Sequence, residues 1–204
     1  MNAGVTNAEV HRSLVWLKEC GAELAEVKLA RGRLTAVGAA IGADPVPYRL
    51  EYVLTTTDSY VTSSLRVHTS AVGWRRSLEL HRDGHGSWRI VADTEGSLDA
   101  PAPGGDAAAF HGASDCDLGL CPLTNTMPVL RHGLLAAGDP VELVMPWVSV
   151  PDLAVTPSRQ RYTPLTRGAD SSVVRFDDGD FTADIVFDAD GLVVDYPEIA
   201  RRVS

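Results

Sequence analysis

Val46, Tyr48, Leu50, Tyr52 and Leu54 occupy every second position of one stretch, and Arg49 and Glu51 stand between them. Val72, Trp74, Leu78 and Leu80 repeat the phase against Arg75, Ser77, Glu79 and His81. Phe181, Ala183, Ile185 and Phe187 do so again against Thr182, Asp184 and Asp188. A period of two with one apolar and one wet face is the mark of antiparallel strands. Val61 to Thr69, Trp88 to Ala92, Val141 to Val150 and Leu192 to Tyr196 are read as further strands, the last two more continuously apolar. The pattern predicts an all-β chain with little helix.

Turn chemistry supports the pattern. Asp83-Gly84-His85-Gly86, Asp178-Gly179 and Ala189-Asp190-Gly191 are short Gly-containing loops between alternating runs, as hairpins require. Pro151, Pro157 and Pro164 predict that Val150 to Leu165 follows a sheet edge or crosses between strands. Leu14 to Ala30 and Thr126 to Gly138 allow helix or strand. Both are read here as strand, the second running from Val129 to Leu135 with a turn before Val141. Residues 99–114 hold Pro101, Pro103, Gly104, Gly105 and Gly112 and are expected to form a long surface crossover inside a single domain spanning 1–204.

Composition narrows the class. With 45% apolar and 22% charged residues the 204-residue chain is globular, and a domain of that size buries roughly 70% of its unfolded surface. Eighteen basic against 27 acidic side chains give a net charge of −9. That excludes a nucleic-acid or anionic-membrane binder relying on clustered Lys and Arg. No apolar run approaches the ~20 residues of a membrane span. Met1 to Arg12 lack a basic region followed by an apolar stretch, so the expected location is cytoplasmic. Cys20, Cys116 and Cys121, an odd count, are expected to be free thiols there.

Several constellations bear on chemistry. Asp115 and Asp117, one residue apart, share a face if they lie on a strand, and paired carboxylates can serve as acid and base. The structural alternative needs a partner, and Arg131 is the candidate. His81, Asp83 and His85 across a turn, and Cys116 and Cys121 near His111, are too loosely spaced for a zinc site, so no metal is expected. Gly112-Ala113-Ser114-Asp115-Cys116 is half of a nucleophile elbow, and no phosphate loop is present. Trp74, Trp88 and Trp147 form either a core or an aromatic binding box. Arg76 sits in the apolar phase between Trp74 and Leu78, which implies a buried ion pair or a polar contact at the bottom of a cavity.

The run Asp115-Cys-Asp-Leu-Gly-Leu-Cys-Pro-Leu-Thr-Asn-Thr-Met-Pro-Val-Leu-Arg131 resembles the central signature of the putative glycolipid-binding family. The likeness continues through Pro151 to Leu153, Gln160-Arg-Tyr162-Thr163 and Phe181-x-Ala183. It closes with Asp190-Gly191-Leu-Val-Val-Asp195-Tyr196-Pro197, and Trp16, Glu26, Tyr52 and Gly86-Ser-Trp88 fall in the expected order. The resemblance implies a spiral β-roll, an open barrel of long antiparallel strands similar to the lipid-carrying lipoproteins of bacterial envelopes. It carries no catalytic set. Cys116, Cys121 and Met127 depart from the usual residues, and His132 replaces the second of two adjacent arginines, removing a permanent charge.

The expectation is therefore a non-enzymatic binder of an amphipathic lipid or glycolipid, with no cofactor. Its concave apolar wall would include Trp74, Leu78, Trp147, Ile185 and Phe187. The expected contacts are Arg76, Asp115, Asp117, Asn125, Thr126, Arg131, Trp147, Gln160, Tyr162 and Tyr196. The alternatives are a structural or interaction protein without a cavity, and a hydrolase or isomerase using Asp115 or Asp117. The sequence assigns no oligomeric state.

Overall fold

The computed structural model describes residues 9–30 and 32–204. Residues 1–8, part of the stretch read for a targeting signal, lie outside them. Seven long strands come first: β1 (Val10–Lys18), β2 (Gly21–Ala30), β3 (Arg33–Gly42), β4 (Tyr48–Thr56), β5 (Thr62–Ala71), β6 (Trp74–Arg82) and β7 (Trp88–Gly96). After the crossover come β8 (Asp117–Leu118), α1 (Thr126–Arg131), β9 (Val141–Val148) and β10 (Val155–Arg167). The last four are β11 (Ser171–Asp177), β12 (Thr182–Asp188), β13 (Val193–Tyr196) and β14 (Ala200–Arg202).

All fourteen strands belong to one open sheet in the order β7-β6-β5-β4-β3-β2-β1-β14-β13-β12-β11-β10-β9-β8. The β1–β14 pair, Trp16 opposite Arg202, joins its two halves. The β8–β9 pair is parallel, and the other pairs are antiparallel hairpins or returns. The fold is all-β. The predicted turn at Asp83 forms as expected, its carboxylate accepting the His85 and Ser87 amides, both at 2.9 Å.

Two predicted elements come out differently. Thr126–Arg131 is a helical turn and not a strand, preceded by a 3-10 turn at Pro122–Asn125. Cys121 through Val129 are all buried, with Met127 in one core cluster and Val129 in the other. A segment with apolar surroundings on all sides must satisfy its backbone internally, which a helix does and a lone strand does not. Pro128 near the helix start sacrifices no intrahelical bond. The proline-rich run is likewise not an outer edge, since β10 lies between β9 and β11. Pro157 precedes the β11 pairing, which covers Arg161 to Arg167, and Pro164 adjoins a register shift. Both stand where a missing amide costs least.

The inner face of the first half carries Leu14, Trp16, Val27, Leu34, Tyr52, Leu65, Leu78 and Leu80, all buried. It is covered by the chain's own crossover: Phe110, Cys116, Leu118, Leu123, Met127 and Leu153 belong to the same cluster. A second cluster packs Tyr162, Val174, Phe176, Ile185 and Phe187 against Val129 and Leu134. The expected open concave wall is therefore filled by protein: Trp74, Leu78, Ile185 and Phe187 are core residues. The physical reason is that an uncovered apolar face of this size is unfavourable in water. Among the described residues no helix is long and apolar enough to cross a membrane.

Glycines in β3 set the fit of β4. Gly38 lies opposite Tyr52 and Gly42 opposite Tyr48. A Cβ at Gly38 would meet the Tyr52 ring at 2.2 Å, so the ring occupies the space a side chain would fill. Gly38→Ala is expected to lower stability by about 1–3 kcal/mol, the usual cost of overpacking, in urea unfolding. A loss under about 0.5 kcal/mol would show that the ring is free to move.

Candidate functional site

The signature residues converge between the two core clusters. Only Asp117 of the carboxylate pair lies on a strand, and the two side chains find separate partners. Asp115, just before β8 and 1% exposed, is gripped through both oxygens by the Arg131 guanidinium from the end of α1. Burial pushes the Asp115 carboxyl up from its ordinary value, and Arg131 opposes that shift. Arg131 is thus the partner that the sequence required. Asp117 accepts from the Thr124 hydroxyl at 2.7 Å and from Gln160 Nε2 at 2.8 Å. Burial raises its carboxyl as well, against those two hydrogen bonds.

The network extends outward from Gln160. The Tyr162 hydroxyl lies 2.9 Å from Asn125 Oδ1 and 3.0 Å from Gln160 Oε1, so its single proton serves one acceptor at a time. Asn125 donates to the Pro122 carbonyl at 3.3 Å, and the Thr126 hydroxyl is buried without a partner among the described residues. Asp115, Asp117, Asn125, Thr126, Arg131, Gln160 and Tyr162 therefore form one neighbourhood. It ties α1 and β8 to β10.

Arg76 lies apart from it, whereas Trp147 is the register partner of Asp117 across the β8–β9 pair and Tyr196 borders the Asp117–Tyr162 side of the network. Arg76 is buried and donates to the carbonyls of Pro101, of Asp152 at 2.8 Å, and of Leu98 and Ala100 at 3.3 Å. Its partners are backbone dipoles and not a carboxylate, and they pin the start of the crossover and the β9–β10 turn to β6. Trp147 is half-buried in β9 beside Gly119. Tyr196 packs edge-on to Phe176 at 6.1 Å. Trp16, Trp74 and Trp88 are core, with the indole N–H of Trp16 bonded to the Val193 carbonyl at 3.0 Å.

Sequence reasoning missed Glu23. It is 2% exposed on the inner face of β2; its Oε1 accepts from Tyr52 at 2.8 Å and from the Cys121 thiol at 3.1 Å, and its Oε2 from Lys18 at 2.6 Å. The available signal was its place in the apolar phase with Ala25, Val27 and Leu29, the same anomaly that marked Arg76. Among the described residues no three His, Cys, Asp or Glu side chains converge as metal ligands.

Space for a ligand lies elsewhere. A groove of about 840 Å3 opens at one end of β3–β6, with Tyr48 and Trp74 in its wall, Ile41, Pro47 and Val72 around them, and Arg49, Arg75 and Glu95 at its border. A trough of about 550 Å3 crosses the outer face of β2–β5. Of the ten expected contact residues, only Tyr196 borders one of the five main grooves, a shallow one beside Leu17 and Glu198.

Two measurements check this geometry. Asp115→Leu strands a buried guanidinium and is expected to cost about 3–5 kcal/mol, whereas Asp115→Leu with Arg131→Met loses clearly less than the single change. In the chemical-denaturation cycle completed by Arg131→Met alone, single losses that add up to the double loss would show that the pair is not coupled. Burial pushes the Cys116 thiol up to about 12 and the Cys121 thiol well above its ordinary value, whereas Cys20 is exposed. A thiol reagent at about pH 8 is therefore expected to label one cysteine in the native protein and all three after denaturation. Fast native labelling at Cys116 or Cys121 would contradict their burial.

Comparison with known proteins agrees with the geometry. No curated protein matches the chain. A crystal structure of a DUF1089 family protein from Pseudomonas aeruginosa superimposes with a TM-score of 0.66 at 28% identity, covering 89% of this chain and 92% of that one. A family model described as "putative glycolipid-binding" matches residues 13–202, from β1 to β14 and through the whole Asp115–Arg131 network. The chain belongs to the family of that description.

Proposed function

We propose that the protein binds an amphipathic lipid or glycolipid without transforming it, and that the ligand enters the groove at the end of β3–β6. The observation that carries this reading is the composition of that groove. Its size, about 840 Å3, lies within the usual range of small-molecule sites. Ile41, Pro47 and Val72 offer apolar surface, Arg49, Arg75 and Glu95 offer charged hydrogen-bonding groups, and Tyr48 and Trp74, largely buried, back the groove from the core. Apolar surface beside a few charged groups suits a ligand with one apolar end and one wet end. Val72 at the β5–β6 tip is fully exposed, and Ile41 is 62% exposed, so apolar area there awaits a cover.

The family description supports the ligand class. Catalysis by Asp115 or Asp117 gains no support, because both carboxylates are bonded inside the protein and neither borders one of the main grooves. The filled interior favours a second reading, an interaction protein with no ligand. Chemical denaturation and heating in the presence of candidate ligands separate the two.

Fatty acids, phospholipids and glycolipids are the probes. A ligand at about a hundredfold excess over its Kd adds about 2.7 kcal/mol, which raises Tm by about 5 °C or more in a chain of this size. Val72→Asp, on an exposed tip, is expected to abolish the shift without altering the unliganded Tm, while Trp147→Ala preserves it. The reverse pattern would put the ligand on the inner side of the sheet. No shift with any probe would leave the interaction reading.

A further inference from the structure

We propose that a small pocket beside Tyr48, adjoining the groove at the end of β3–β6, receives an ammonium group, so that the bound amphiphile carries an amine on its head. The inference rests on the lipid-binding reading for the apolar part of the ligand, whereas the choice of head group comes from the pocket. The two hollows meet across Ile41, Gly42 and Tyr48, which line both. The pocket measures about 130 Å3 against about 840 Å3 for the groove. That is room for about four waters, enough for a small polar head and not for an acyl chain.

Charge decides the class. Glu19, Asp44 and Glu198 border the pocket, and among the described residues none of the three has an ion-pair partner. Lys18 also lines the pocket, but it is already engaged: its ammonium lies 2.6 Å from Glu23 Oε2, and its side chain is only 10% exposed. Arg201, in the adjoining shallow groove with Glu19 and Glu198, pairs with neither. Lys18 and Glu23 therefore cancel, and three carboxylates remain uncompensated. Such a mouth repels an anionic head and draws in a cation. A bare metal ion is the poorer occupant, because it needs oxygen ligands closing to bonding distance. No three acidic, His or Cys side chains converge in that way among the described residues.

A free acceptor points the same way. Tyr48 is 7% exposed and lies over Gly42, where a Cβ would meet its hydroxyl oxygen at 2.5 Å. Tyr52 and Tyr162 both have their hydroxyls bonded inside the protein, but the Tyr48 hydroxyl has no partner among the described residues. It stands in a negative field: burial first, and then the charges of Glu23 and Asp44, push the phenol up from its ordinary value. The hydroxyl therefore keeps its proton, and its oxygen is available to accept from an ammonium that Asp44 and Glu198 hold from the solvent side.

Two lipid pairs with matched acyl chains test the head group on the full chain by tryptophan fluorescence: glucosaminyl against glucosyl diacylglycerol, and phosphatidylethanolamine against phosphatidylglycerol. In at least one pair the amine is expected to bind about tenfold tighter, as two partly exposed ion pairs would give. The pair that shows it separates a sugar amine from an ethanolamine. Asp44→Asn with Glu198→Gln, both at exposed positions, is expected to remove the preference without weakening the amine-free lipid or changing Tm. Tyr48→Phe is expected to reduce it in part. Equal binding within both pairs, or a preference that survives the double variant, overturns the proposal and leaves the lipid reading intact. If no lipid binds, that reading fails, and the pocket is probed by NMR with glucosamine against glucose and ethanolamine against ethylene glycol. Shifts at the Ile41 and Leu120 methyls that only the amines produce, and that the double variant loses, uphold the ammonium site. Their absence overturns it.

Discussion

A sheet of fourteen strands has an inner face that water wets poorly, and everything else in this structure follows from how that face is covered. The cover is the chain's own segment from Leu98 to Leu135. It supplies Phe110, Cys116, Leu118, Leu123 and Met127 to one core and Val129 and Leu134 to the other. The single helix, the 3-10 turns and the short β8 are the conformations this segment adopts while buried between two halves of a sheet. Each keeps its backbone polar groups bonded where no long neighbouring strand runs beside it.

Buried charge holds the cover in place, and three charges are partnered by three different means, Arg76 Nε alone among their polar atoms being left without an acceptor among the described residues. Asp115 takes a guanidinium, Arg76 takes four backbone carbonyls, and Glu23 takes an ammonium, a phenol and a thiol. Each joins the cover or its neighbouring strands to a distant strand or to α1. A charge buried in this way contributes little net stability while its partners are present, but losing one partner is costly. The arrangement therefore specifies where the crossover sits. The family signature, read as chemistry, is largely this lock.

Because the lock consumes the signature residues, surface available to other molecules falls on strand ends and on the outer face. The groove at Tyr48 and Trp74 and the trough over Ala39 share β3 and β4, with Ile41 and Arg49 bordering the groove. Small residues in β3 act on both of its faces. Gly42 is overlain by the Tyr48 ring and Gly38 by the Tyr52 ring, and Ala39 leaves the outer face low. One glycine- and alanine-rich strand thus shapes the packing beneath it and the relief above it.

The strands were legible because a half-buried strand repeats its burial every two residues, and Tyr48 to Leu54 or Ala183 to Phe187 need no partner to show it. The pairing of Asp115 with Arg131 was legible for a related reason: a carboxylate in apolar company requires a counter-charge, and one stood nearby. Arg76 was recognisable as an anomaly, but its carbonyl partners were not, because any backbone carbonyl is chemically like any other until the chain is folded. Thr126–Arg131 was misjudged as strand because its conformation answers to surroundings on all sides and not to a periodic face. The sequence by itself thus determined the strands, their inward faces and the need for a buried counter-charge, all of which are local. Only the tertiary structure decided that the inner face is filled, since the residues that fill it lie up to dozens of positions from those they cover, and no local pattern records that distance.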